Sequence, residues 1–119
     1  MSNRYDKMDD YIASVFNVFK MVNRKAEQQK DKRLSIIGLT IYNYVRYMAK
    51  EYNIDLKNIQ ETESINLIPL FEYISVNNIE MIDFSDTNSM NEIDVNKKED
   101  LERFVISHIY YITQGTQTK

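Results

Sequence analysis

The 119-residue sequence contains no cysteine and no tryptophan, a single proline, two glycines and one histidine. Without cysteine there is no disulfide framework, no thiolate zinc site and no thiol nucleophile. So little glycine and proline excludes a glycine-rich phosphate loop and leaves few tight turns for an all-β fold. One histidine excludes any site that needs two. No stretch approaches the roughly 20 apolar residues that cross a bilayer. The opening residues Met1-Ser2-Asn3-Arg4-Tyr5-Asp6 lack a signal-peptide apolar run, so the expected location is the cytoplasm of a cell or host cell, with no membrane partner.

What is present is the balance of a folded chain, with 43% hydrophobic and 28% charged residues. The length suits a single domain spanning residues 1–119. The net charge of −3 is unevenly laid out. Residues 1–57 carry eleven basic and seven acidic side chains, whereas residues 58–119 carry four and eleven. No basic residue occurs between Asn58 and Asn96, where Glu61, Glu63, Glu72, Glu80, Asp83, Asp86, Glu92 and Asp94 accumulate. Two oppositely charged halves packing in one domain, or separate basic and anionic partners, both account for this layout. Heavy use of Ile, Asn, Lys and Tyr points to an AT-rich genome such as that of a virus, phage or low-GC bacterium.

Hydrophobic spacing predicts a mainly α fold, a compact bundle of about four helices. From Tyr5 to Gln29, Met8, Tyr11, Val15, Val18 and Val22 recur three and four residues apart, with Ile12, Phe19 and Ala26 on the adjoining row. Asp6, Asp9 and Asp10 near the start, with Arg24, Lys25 and Lys30 near the end, suit the helix dipole. After the polar break Asp31-Lys32-Arg33, a second helix is expected from Leu34 to Tyr52, burying Ile37, Ile41, Tyr44, Val45 and Met48. A link this short makes the two helices antiparallel or nearly so. Asp55 is placed to cap a short helical turn reaching Ile59. Ser64 to Val76 reads as a third helix interrupted by Pro69, which belongs near a helix start.

The stretch Ile79-Glu80-Met81-Ile82-Asp83-Phe84 alternates apolar and acidic residues, and 91–95 repeats the alternation after the turn-forming run 85–89. This pattern fits either a short β-hairpin between the third and fourth helices or an irregular loop. A final helix buries Leu101, Phe104, Val105, His108, Tyr111 and Ile112. Asn96 and Glu99 stand at capping-box spacing, and Gly115 marks the expected end.

Three constellations carry candidate chemistry. On the second helix Tyr42, Arg46, Tyr47 and Lys50 lie away from the buried row; tyrosine and arginine are enriched in binding hot spots. Asp83 and Asp86 head an acidic segment suited to a basic protein surface. It makes no calcium loop, because Asn91 stands where glycine is needed and Lys97 where the bidentate glutamate belongs. Neither a metal ion nor a cofactor is therefore expected.

The third constellation surrounds the histidine, in Arg103-Phe104-Val105-Ile106-Ser107-His108-Ile109-Tyr110. Metal-independent RNA cleavage needs a proton carrier and a cation beside the phosphorane, roles that imidazole and guanidinium fill. The Arg-x4-His-x-Tyr spacing resembles the signature of the HEPN family, small all-α ribonucleases and nucleotide-binding domains that often act as toxins. The resemblance covers eight residues and departs from the family at Phe104, where a polar residue is usual. It implies Arg103 and His108 as catalytic groups, Tyr110 as support, and a dimer that joins two motifs.

A helical bundle with no cleft-forming motif works by presenting a surface. The leading expectation is therefore a non-enzymatic interaction or regulatory protein, of viral or phage origin, that binds a protein partner. Its surfaces are Tyr42, Arg46, Tyr47 and Lys50 on one side and the acidic segment with Asp83 and Asp86 on the other. An HEPN-like ribonuclease is the alternative. A nucleic-acid-binding regulator using Arg24, Lys25, Lys32 and Arg33 comes third, disfavoured by a pI near 5.2. A homodimer is compatible with each.

Overall fold

The computed structural model describes residues 7–60, 65–86, 88, 91–94 and 96–117. These are mainly helical and contain no strand. The helices are α1 (Met8–Gln29), α2 (Lys32–Glu51), α3 (Ile68–Asn77) and α4 (Lys98–Gln117), with a 3-10 turn at Leu56–Asn58. The chain divides into two compact units, Met1–Asn78 and Ile79–Lys119. Of the expected element residues, Tyr5, Asp6, Ser64 and Val95 lie outside the described set, as do Glu61, Glu63, Thr87 and Ser89.

In the first unit α1 packs on both α2 and α3. The predicted stripe is the buried one: Tyr11, Ile12, Val15, Val18 and Val22 on α1 have almost no exposure, nor have Ile41, Tyr44, Val45 and Met48 on α2. Each such apolar side chain contributes about 1.5–3 kcal/mol when removed from water. Two tyrosines enter this core because they satisfy each other: the Tyr11 and Tyr44 hydroxyls lie 2.7 Å apart and share a hydrogen bond. Tyr11 also stacks on Tyr73 of α3, ring centroids 3.9 Å apart.

Local chemistry explains the ends of these helices. Lys30 closes α1 in the left-handed conformation (φ 51°). Asp31 then caps α2, its carboxylate accepting from the Arg33 and Leu34 amides, so α2 starts two residues before the expected Leu34. Asp55 accepts from the Lys57 amide and caps the 3-10 turn as anticipated. Pro69 falls in the first turn of α3, where its missing N–H removes no helical bond, and Asn78 ends that helix in the left-handed region.

In the second unit the irregular alternative holds and the hairpin does not. No described residue of 79–84 or 91–94 is strand, and Asn88 and Asn91 have helical backbone. Aspartates here bind their own backbone two residues on. Asp83 accepts from Ser85, Asp86 from Asn88 and Asp94 from Asn96. Such turns compete with a β-ladder for the same amides. The apolar residues of 79–84 still find cover, because this stretch lies along α4: the Ile82 amide donates to Ser107 Oγ at 2.9 Å, and Arg103 Nε donates to the Glu80 carbonyl at 3.0 Å. α4 continues through Gly115 to Gln117. At its other end Asp100 accepts from the Asp94 amide, a pairing that the Asn96–Glu99 expectation missed.

Candidate functional site

The outward side of α2 is the most distinctive surface of the first unit. Helical spacing that buries Ile41, Tyr44, Val45 and Met48 turns Ile36, Leu39, Asn43, Arg46, Tyr47 and Lys50 outwards, and all six are exposed. Ile36 retains 65% and Leu39 59% of full exposure, and Tyr47 retains 42%. From Ile36 to Lys50 this row runs about 21 Å along the axis. Its first half is apolar; its second half is cationic and aromatic.

Beside the second half lies a groove of about 590 Å³. It forms because the chain leaves α2, reverses through Asn53 in the left-handed region (φ 57°), and returns as the 3-10 turn. Tyr42, Asn43, Arg46, Tyr47 and Lys50 line it from α2, and Ile54, Asp55, Leu56 and Lys57 from the returning chain. All four α2 residues singled out from the sequence therefore share one groove. Tyr42 is only half-buried, its ring 4.9 Å from that of Phe19. The Arg46 guanidinium stands 5.8 Å from the Tyr42 ring centroid, close enough for a cation–π contact that holds the charge over the groove.

Ile36, Leu39 and Lys57 were missed by the sequence reading. Ile36 and Leu39 share the three-and-four spacing of Asn43, Arg46 and Lys50, a signal hidden by the many apolar residues of this helix. Lys57 has no sequence signal, since only the reversal at Asn53 brings it to the groove. Arg24, Lys32 and Arg33 are exposed, and Lys25 is half-buried.

A larger cleft of about 810 Å³ in the same unit is lined by Asp9, Asp10, Asn17, Asp55 and Asn66 among others. Its floor is structural. Ser14 Oγ donates to the Asn66 carbonyl at 2.7 Å, and Asn17 Nδ2 donates to the Ala13 and Gln60 carbonyls. These buried polar groups tie the connector between α2 and α3 to α1.

In the second unit, Asp83 and Asp86 are exposed. Bonds from the hydroxyl and the amide of Ser85 hold the Asp83 carboxyl below its ordinary pKa of 3.8, so its charge persists into acid. The Arg-x4-His-x-Tyr residues have structural partners. Arg103 binds the Glu80 carbonyl and lies 3.9 Å from Asp100. His108 is half-buried with its ring centroid 4.3 Å from those of both Phe84 and Phe104. Its Nδ1 lies 3.0 Å from the Phe104 carbonyl, which can only accept, so Nδ1 carries a proton. Burial lowers its pKa below 6.5, more than the Phe104 bond raises it. Tyr110 is half-buried and in edge contact with Tyr111. Phe104, the departure from the HEPN pattern, is thus one wall of the histidine's packing.

Among the described residues no three His, Asp or Glu side chains are grouped to hold a metal ion, and no helix is long and apolar enough to cross a membrane. Comparison of the chain with protein-family models, with curated proteins and with solved structures gives no match.

Proposed function

We propose that this is a non-enzymatic helical interaction protein that binds a protein partner through the outward face of α2. The observation that carries the reading is the exposure of Ile36, Leu39 and Tyr47 on one row of a helix whose opposite row is sealed. Exposed apolar side chains scattered singly need no explanation, but aligned with Arg46 on one face they form the kind of patch that partners cover. The acidic segment carrying Asp83 and Asp86 is the second surface, suited to a basic region of a partner. Binding takes place in the cytoplasm of a cell or host cell, where a chain without disulfides is at home. An AT-rich viral or phage source remains the reading of the residue usage.

Binding is favoured over catalysis because Arg103 and His108 already have structural work. The guanidinium holds the Glu80 carbonyl, and the imidazole packs on two phenylalanines.

The test is comparative capture from the native cell with the intact chain and with a Leu39→Asp/Tyr47→Ala variant. A protein retained by the parent and lost by the variant, with the circular dichroism of both unchanged, supports the reading. Equal recovery by both removes α2 as the docking face.

A further inference from the structure

The charge and shape of the α2 face identify the chemistry of what covers it. Resting on the reading that this face docks a protein, we propose that its occupant is an acidic amphipathic helix of that partner. A row about 21 Å long matches four turns of a facing helix, which would cross the exposed Ile36 and Leu39 and end in the groove lined by Arg46 and Lys50. One end offers Ile36 and Leu39, with 65% and 59% exposure, to apolar side chains. The other end offers Arg46 and Lys50, joined across the groove by Lys57. Tyr47 stands beside Arg46 at the cationic end, an amphipathic ring able to pack on an apolar side chain. Tyr42 holds the Arg46 guanidinium, so less rotamer freedom is lost when a carboxylate arrives.

Charge decides against the other occupants. α2 carries Lys32, Arg33, Arg46 and Lys50 against the single acid Glu51. Against a second α2, a parallel pairing sets each cationic end on its own copy, and an antiparallel pairing sets Lys32 and Arg33 beside Lys50 and Arg46. Either arrangement stacks like charges, which costs affinity. A nucleic acid would satisfy the cations but leave the exposed Ile36 and Leu39 uncovered. An acidic helix with apolar residues three and four apart satisfies both ends at once.

The experiment is selection of a display library of helix-forming 16-residue peptides on the intact chain at physiological salt, followed by fluorescence-polarisation titration. The expected winners carry Asp or Glu together with Leu, Ile or Phe at helical spacing. Their affinity should fall about tenfold or more with Arg46→Glu/Lys50→Glu and return with peptides whose acids are replaced by lysine. Winners that are neutral or basic, yet lost with Leu39→Asp, overturn the acidic assignment while leaving α2 as the docking face. Binding that neither variant changes overturns both readings. A 16-nucleotide thymidine strand that binds through Arg46 and displaces the winners replaces the partner helix with nucleic acid. A concentration-dependent dimer abolished by Leu39→Asp replaces it with a second copy.

Discussion

The two units are held together by different physics. In Met1–Asn78 helix stripe packs on helix stripe, the buried tyrosines pair through their own hydroxyls, and Ser14 and Asn17 tie the connector backbone to α1. In Ile79–Lys119 the non-helical stretch beside α4 is secured by α4 side chains bonding its backbone, Ser107 to Ile82 and Arg103 to Glu80. The first arrangement draws on apolar area and tolerates gradual change. The second adds to its own sealed residues Ile82, Val105, Ile106 and Ile109 a directional bond at a buried amide, so removing Ser107 leaves the Ile82 N–H unpaired.

The comparison is broken most severely by cutting into the first core. Ile41→Ala should destabilise the chain by about 2–5 kcal/mol, read from the urea midpoint, because the residue is sealed and its removal leaves a cavity. Ser107→Ala should cost about 1–3 kcal/mol, since the Ile82 amide loses its acceptor. It also sharpens the contrast: hydrogen exchange should quicken at the Ile82 amide while amides of α1 and α2 keep their protection. Equal quickening throughout would show that the two units do not differ in this way.

Gly38→Ala should act in the opposite direction. Gly38 is buried within α2, and an added Cβ would meet Val22 Cγ1 at 3.6 Å, ordinary contact distance. The gain in helix propensity should stabilise the chain by about 1 kcal/mol, visible as a higher Tm. The smallest effect is a pH dependence confined to His108. Its folded pKa lies below the unfolded 6.5, so the unfolded chain binds more protons. Stability should be complete above about pH 6.5 and decline as pH falls through the folded value. His108→Leu should flatten that part of the profile, and an unchanged profile would remove the histidine as its source.

How legible each unit was follows from the same contrast. The stripes of α1 and α2 were readable because helical burial repeats every three and four residues in the sequence itself. On α2 the four residues chosen for docking, Tyr42, Arg46, Tyr47 and Lys50, do meet in one groove. Ile36 and Leu39 were obscured because a helix rich in apolar residues offers more than one plausible stripe. Around α4, a histidine at suggestive spacing from an arginine drew attention to chemistry, whereas Ser107, unremarked in the sequence, holds the backbone.

The sequence by itself determined the stripes of α1 and α2 and the cap at Asp55, because each depends on neighbours within about one turn. It ran α3 from Ser64 with Pro69 inside it, whereas α3 starts at Ile68. On the last helix Ile106, Ile109 and Thr113 are buried instead of Phe104, His108 and Tyr111. Tertiary structure alone decided that 79–84 lies along α4 instead of pairing as a strand. It also decided that Lys57 joins Arg46 and Lys50 at a groove. Both outcomes rest on partners distant in the chain, such as Ile82 and Ser107 twenty-five residues apart. A local pattern of apolar and polar residues records which side is buried, not which remote group will receive an amide.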